Sequence, residues 1–226
     1  MKAKQLRIYA IADIHSPDSF HMPQLPPDSY DLVLTLGDIN DDTLDYIAYM
    51  THGIPWLGVP GNHDPDQVVA FESLHARSVL FRGLRLGGCG GGPSYKKDTP
   101  NHFTERQVTK FLRKMPVVDL FISHAPPPSA ALDGGLVSPT DYIHRGFDAF
   151  DSYLHTAKPR YWLHGHLSRR YCCSVGETKV MGISGAQPLI LDFPGVRPEP
   201  AAAVQSESRS GRLWADLLLL RRRGVR

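Results

Sequence analysis

The sequence is poor in cysteine, with three in 226 residues. Cys89 stands alone, and Cys172 and Cys173 are adjacent, so no pair has the spacing of a thiolate metal site. A disulfide framework is not expected from this arrangement. We interpret this cysteine usage as that of a protein from a reducing compartment and predict a cytoplasmic location.

Long apolar runs are also missing, because none approaches the ~20 residues that a membrane-spanning helix needs. The apolar stretch at residues 8–12 is too short for a signal peptide and is followed at once by Asp13. The net charge is only +2, which gives no global argument for nucleic acid or an acidic membrane as a partner. We therefore expect no transmembrane segment and no clear nucleic-acid-binding patch.

The length and the 42% content of hydrophobic residues suit one domain with a full core. Strand-like and helix-like segments alternate early in the chain, and strand-like segments dominate late. This order predicts two packed β-sheets flanked by helices. Among the elements, we expect a hairpin over residues 79–86 and helices over residues 66–76, 104–115 and 141–156.

Potential metal ligands follow several strand-like runs at the point where each run ends. The carboxyl ends of strands in α/β sheets meet at one edge, where binding sites form. Oxygen and imidazole ligands without thiolate suit Mn²⁺, Fe²⁺, Zn²⁺ or Ni²⁺. The residues at these ends are Asp13, His15, Asp38, Asn62, His63, Asp64, His124, His164 and His166.

Asp38 stands at the centre of this pattern. The apolar or β-branched residues 32–36 run directly into Gly37 and Asp38, which predicts a buried strand that ends in a sharp turn and presents a carboxylate. A carboxylate has two oxygens and can therefore bridge two cations.

The motifs that carry these residues occur in the order found in one large family. They are Asp13-x-His15, Gly37-Asp38-x-x-Asp41, Gly61-Asn62-His63-Asp64, a lone His124 and Gly165-His166. In this order the sequence resembles the calcineurin-like metallophosphoesterases over about residues 6–193. It is most similar to their small class III cyclic-nucleotide-phosphodiesterase branch. The fold expected for it is an α/β (α+β), four-layer α/β/β/α sandwich with two mixed β-sheets flanked by helices.

The resemblance implies a metal-dependent phosphoesterase with two divalent ions and a small phosphorylated substrate, with a phosphodiester favoured. By resemblance, Asp13 and His15 bind the first ion, Asn62, His124 and His166 bind the second, and Asp38 bridges both. A metal-bound hydroxide would attack phosphorus in line. His63 would stabilise the phosphoryl group or protonate the leaving oxygen, and Asp64 would orient its ring. No substrate-binding residue is identified.

The sequence departs from the family pattern at one metal ligand. The family has Gly-His-x-His, whereas this chain has Ser168 where the last histidine of the first site belongs. A serine hydroxyl is a much poorer ligand than imidazole, so we expect a weakened first metal position. His164 could compensate, or it could be a histidine hydrogen-bonded to backbone. The alternative function is a catalytically weak or inactive scaffold or binding protein with this fold.

The composition changes after about residue 195. Residues 196–226 form a segment rich in Pro, Ala and Ser that ends in a short apolar and then basic tail. We expect residues 1–195 to form the metallophosphoesterase domain and the rest to be disordered or peripheral. The tail could also contact a partner or an anionic membrane surface.

Overall fold

The computed structural model describes residues 4–15, 20–66, 70–96, 99–133 and 135–194. The predicted tail at 196–226 lies outside the described residues. The first half contains strands β1 (Lys4–Ala12), β2 (Leu32–Thr35), β3 (Trp56–Gly58), β4 (Glu72–Ser73), β5 (Arg77–Phe81), β6 (Leu84–Cys89) and β7 (Gly92–Pro93), with helix α1 (Asp41–Met50). The second half contains strands β8 (His102–Phe103), β9 (Leu120–Ser123), β10 (Tyr161–His164), β11 (Tyr171–Val175), β12 (Thr178–Gly182) and β13 (Gly185–Phe193), with helices α2 (Glu105–Leu112), α3 (Pro128–Asp133) and α4 (Asp148–Ala157).

The strands form two large mixed sheets, as expected from the sequence. The first sheet has the order β13-β1-β2-β3-β4, in which only β13 is antiparallel to its neighbour. The second has the order β11-β12-β10-β9-β6-β5, parallel at its centre and antiparallel at both edges. Strands β7 and β8 form a small separate ribbon. In both large sheets the parallel centre sends several strand ends to one edge.

The core lies between the two sheets and follows from the alternation of side chains along each strand. In β1, Ile8 and Ala10 face the second sheet, and they share one buried cluster with Ile122 of β9 and Leu163 of β10. Burial of apolar surface from both sheets stabilises their face-to-face packing.

The outer faces are covered by helices. Ile11 of β1, on the opposite face from Ile8, packs in a cluster with Ile47 of α1. On the second sheet, Trp162 of β10 packs with Val108 of α2 and Phe150 of α4. The architecture is therefore the expected α/β/β/α sandwich.

The hairpin and one helix were predicted correctly. Strands β5 and β6 pair antiparallel, with Phe81 opposite Leu84. Helix α2 begins after Thr104, which forms a capping box with Gln107, and this agrees with the predicted start of a helix at residue 104.

The predicted helix over residues 66–76 is wrong in its described part. Residues 72–73 instead form β4, with Glu72 paired to Leu57 of β3, and the Leu74 N–H donates to the Gly58 carbonyl at 2.7 Å. Pairing with a neighbouring strand therefore prevails over the helical spacing of the local sequence.

The helix predicted over residues 141–156 begins late, because α4 starts only at Asp148. Gly146 has a left-handed backbone with φ of 86°. A Cβ at this position would overlap the carbonyl oxygen of Pro126. This conformation interrupts the helix, which begins only after it.

The longest helices of the described residues, α1 and α4, have 10 residues each, and no described helix is long and apolar enough to span a bilayer.

Candidate metal centre

The loops that follow β1, β2, β3, β9 and β10 meet at one edge of the two sheets. The Asp13 N–H donates to the Gly37 carbonyl at 3.1 Å, which joins the first two loops. Asp13, Asp38 and His166 all have left-handed backbones, with φ of 55°, 57° and 69°. Such conformations are unfavourable for non-glycine residues and concentrate at functional sites.

His124 lies at the centre of this edge and is fully buried. Its Nδ1 is 2.7 Å from the Leu36 carbonyl oxygen, which can only accept, so Nδ1 carries a proton. The Nε2 atom lies 3.0 Å from Asn62 Oδ1, 3.1 Å from His166 Nδ1 and 3.4 Å from Asp38 Oδ2. Several atoms with lone pairs therefore converge on one point.

The ring of His166 is oriented in the same way. Its Nε2 lies 3.3 Å from the Ile143 carbonyl oxygen, which leaves Nδ1 to face His124 Nε2. Ligand atoms of Asp38, His124 and His166 all lie within 4.8 Å of one another. This donor set of one carboxylate, one amide oxygen and two imidazoles fits a divalent cation of intermediate softness. We call Asp38, Asn62, His124 and His166 the metal centre.

The electrostatics of the metal centre favour a single positive charge. Burial opposes the imidazolium form of His124, but the hydrogen bond and charge of Asp38 outweigh burial and raise the pKa of His124 to about 9. Burial also opposes ionisation of Asp38, yet the contacts with His124 and His63 hold its pKa well below the usual range. Burial and the nearby charge of His124 lower the pKa of His166 to about 3. A bound cation would meet the same need for positive charge.

Asp13 lies next to the metal centre but faces the backbone of the His166 loop. Its Oδ1 accepts the His166 N–H at 2.9 Å and its Oδ2 accepts the Ser168 N–H at 3.2 Å. Burial raises the pKa of Asp13 above its ordinary value. In the described part of the chain, the structure does not bring Asp13 and His15 into the group formed by Asp38, His124 and His166.

Both His15 and His63 are exposed and line an open cleft with Asp38. The cleft has a volume of about 470 Å³. The His63 N–H donates to Asp38 Oδ1 at 2.9 Å, so the backbone of His63 also fixes the carboxylate of the metal centre. The residues lining the cleft are His15, Asp38, Ile39, Asn40, Asp41, His63, Asp64 and Pro65.

Asp64 is buried, and its carboxylate binds backbone. It accepts the N–H groups of Gly61 at 2.7 Å, Asp38 at 3.0 Å and Ile39 at 3.1 Å. These bonds tie the loop after β3 to the loop after β2. Burial raises the pKa of Asp64, and the charge of Asp38 adds to that shift.

His164 and Ser168, the two residues considered at the first metal position, both have hydrogen-bond partners outside the metal centre. His164 Nδ1 lies 2.9 Å from the Gly165 carbonyl oxygen and its Nε2 lies 2.6 Å from the Tyr171 hydroxyl, so both ring nitrogens have other partners. Ser168 is exposed and donates its N–H to Asp13. His164 is thus a hydrogen-bonded residue at a strand end.

The sequence analysis missed two contributions to this site. The Ile143 carbonyl orients His166, and the side chain of Asn101 donates to the carbonyls of Asp64 and Pro65 at 3.0 and 3.1 Å. Ile143 lies 23 residues and Asn101 lies 36 or 37 residues from these partners, and no local motif marks either one.

Comparison with known proteins identifies one matching family. The family described as calcineurin-like phosphoesterase matches residues 6–169. No curated protein matches the sequence.

Solved structures share the fold at low identity. TT1561 of Thermus thermophilus is 13% identical with a TM-score of 0.54, over 80% of this chain and 90% of that chain. Phosphopantetheinyl hydrolase (PptH) from Mycobacterium tuberculosis is 13% identical with a TM-score of 0.54, over 79% of this chain and 89% of that chain. At this identity the likeness concerns the fold alone.

Proposed function

Since the chain belongs to the calcineurin-like phosphoesterase family, we propose that this metallophosphoesterase hydrolyses small phosphodiesters at a site with one weakened metal position. The observation that carries the proposal is the convergence of Asp38, Asn62, His124 and His166 on one point at the edge of the two sheets.

The metal centre would hold one divalent ion through these four side chains. Mn²⁺, Fe²⁺, Zn²⁺ and Ni²⁺ all suit its oxygen and imidazole donors. When bound, the ion supplies Lewis-acid activation of a phosphoryl oxygen and of water. Backbone groups orient these ligands. The Leu36 and Ile143 carbonyls determine which ring nitrogens of His124 and His166 carry a proton. The His63 N–H orients the Asp38 carboxylate.

His63 is the residue of the chain that would act on the substrate. Its side chain is exposed in the cleft, while its N–H is bonded to Asp38. A ring N–H at this place can stabilise negative charge on the phosphoryl oxygens or donate its proton to the leaving oxygen. Asp64 contributes by holding the loop, because its oxygens bind Gly61, Asp38 and Ile39.

The weakened position is the one that Asp13 and His15 would form with Asp38. Both Asp13 oxygens accept backbone N–H groups of the loop that ends at Ser168, and Ser168 offers only a hydroxyl. The variant Ser168→His should therefore raise Mn²⁺ affinity and turnover by about tenfold. Ser168→Ala, the control, should behave as wild type. Wild-type Mn²⁺ affinity and turnover in Ser168→His, or an inactive Ser168→Ala variant, would contradict a weakened position.

A small diester fits the open cleft of about 470 Å³ and the low net charge of +2. The test is hydrolysis of an activated aryl phosphodiester and the matching monoester by metal-stripped protein after addition of Mn²⁺. We expect the diester to turn over faster, and Asp38→Asn to abolish turnover of both. Wild-type rates no higher than those of Asp38→Asn with any of the four metals would favour the scaffold alternative. Faster monoester turnover would overturn the diester assignment.

The cytoplasmic location is also a proposal. It is supported by Cys89, Cys172 and Cys173, which are all free thiols. A role of residues 196–226 as a contact for a partner or a membrane surface stays a prediction.

A further inference from the structure

We propose that Asn101 is a positioning residue that holds His63 in place by binding the two carbonyls that follow it in the chain. This inference rests on the proposed function, since it concerns the residue that would act on the substrate.

The side chain of Asn101 makes two hydrogen bonds with one amide group. Its Nδ2 lies 3.0 Å from the Asp64 carbonyl oxygen and 3.1 Å from the Pro65 carbonyl oxygen. An amide nitrogen carries two N–H groups, so both bonds can form at once. Asn101 is only 9% exposed, and bonds at such a site are costly to lose because water does not readily replace them.

Asn101 is itself rigidly placed. Its backbone is left-handed with φ of 55°, a conformation that asparagine tolerates better than most residues. Asn101 lies directly before β8 in the chain, and its carbonyl accepts the Gly92 N–H of β7 at 3.0 Å. Phe103 of β8 stacks on His75 with ring centroids 4.8 Å apart and packs against Phe111 of α2 at 5.6 Å. Asn101 therefore links the helical layer of the second sheet to the His63 loop of the first.

The two sides of the His63 loop are held by different partners. Before His63, Asn62 Oδ1 lies 3.0 Å from His124 Nε2, and the Gly61 N–H binds the Asp64 carboxylate. After His63, Asn101 binds the carbonyls of Asp64 and Pro65. Loss of the Asn101 amide should therefore displace His63 more than Asn62. It should lower catalytic rate without weakening metal binding.

The test is a double-mutant cycle with Asn101→Gly and His63→Ala. Glycine accepts the left-handed backbone, so Asn101→Gly removes the amide without adding backbone strain. Lys158→Gly is the matched control, because Lys158 is also left-handed with φ of 46° and caps α4 at the far end of β10 from His164. Each variant is assayed for kcat and KM with the aryl phosphodiester and Mn²⁺, for Mn²⁺ affinity by calorimetry, and for thermal stability.

We expect Asn101→Gly to lower kcat by about tenfold, because a displaced catalytic group commonly costs about 10–100-fold. The KM and the Mn²⁺ affinity of Asn101→Gly should stay within about twofold of wild type. The control Lys158→Gly should stay within about twofold of wild type in kcat, KM and Mn²⁺ affinity. In the His63→Ala background, Asn101→Gly should have no further effect on kcat.

Three results would overturn the inference. They are wild-type kcat in Asn101→Gly, the same fold loss in both backgrounds, or a loss of Mn²⁺ affinity that accounts for the lower rate. If Asn101→Gly does not fold, Asn101→Asp replaces it, because aspartate keeps the shape and turns the donor into an acceptor. Full activity of Asn101→Asp would also overturn the inference. Absence of wild-type turnover would instead overturn the proposed function, and the inference with it.

Discussion

Removal of the Asp64 carboxylate should destabilise the fold more than it changes the chemistry. In Asp64→Ala, the buried N–H groups of Gly61, Asp38 and Ile39 lose acceptors at 2.7, 3.0 and 3.1 Å. Each buried donor without a partner costs about 1–3 kcal/mol. Water entering the space left by the carboxylate would recover part of this loss, so we expect about 3–5 kcal/mol in total.

That loss is a large share of the total stability of a domain, which is about 5–15 kcal/mol. At about 2–4 °C per kcal/mol for a domain of this size, Tm should fall by about 6–20 °C. The assay is thermal and urea unfolding followed by circular dichroism. Asp64→Asn is the control, because it keeps the shape and one acceptor oxygen and should lose about 1–2 kcal/mol.

The reasoning would be refuted by a Tm of Asp64→Ala within about 2 °C of wild type together with a large loss of turnover. That result would mean that Asp64 acts through the ring of His63, as the sequence motif suggested, and that its bonds to the backbone contribute little.

Three further predictions concern stability and metal binding. Burial opposes ionisation of Asp31, but Arg7 and Arg82 outweigh burial and lower the pKa of Asp31. The ionised carboxylate therefore stabilises the folded protein fully above about pH 4, and this stabilisation is lost as pH falls through the lowered pKa. Wild type should therefore lose more Tm than Asp31→Asn between about pH 5 and pH 3, and equal losses would contradict the ion pair. A Cβ at Gly61 would overlap Asp38 Oδ1, so Gly61→Ala should weaken Mn²⁺ binding by at least about tenfold in calorimetry. A wild-type Mn²⁺ affinity of Gly61→Ala would show that the loop after β3 can move to make room for the added methyl group. The Asn40 side chain accepts the Thr43 N–H at 2.8 Å and caps α1, so Asn40→Ala should cost about 1 kcal/mol in urea unfolding.

Much of the site could be predicted because its residues lie at the ends of parallel strands. Apolar runs such as residues 32–36 mark these strands, and parallel pairing of β2 with β3 and of β9 with β10 sends their ends to one edge. The sequence alone therefore predicts that Asp38, Asn62, His124 and His166 lie close together.

The parts that could not be predicted depend on contacts between distant segments. Strand β4 exists because β3 pairs with it, and α4 begins late because Gly146 passes close to Pro126. The carboxylate of Asp64 binds backbone 25 and 26 residues away as well as its own loop, and Asn101 acts across 36 and 37 residues. Local spacing contains no signal for hydrogen bonds of this range, since they form only when segments distant in the sequence are brought together by the fold.

The most direct test of the account is the number of Mn²⁺ ions that metal-stripped protein binds, measured by calorimetry on wild type and Asp38→Asn. The account predicts one tight equivalent in wild type, held at the metal centre, and a loss of affinity of at least about tenfold in a folded Asp38→Asn variant. Binding that is equally tight in Asp38→Asn, or no binding by wild type, would contradict a metal centre built from Asp38, Asn62, His124 and His166.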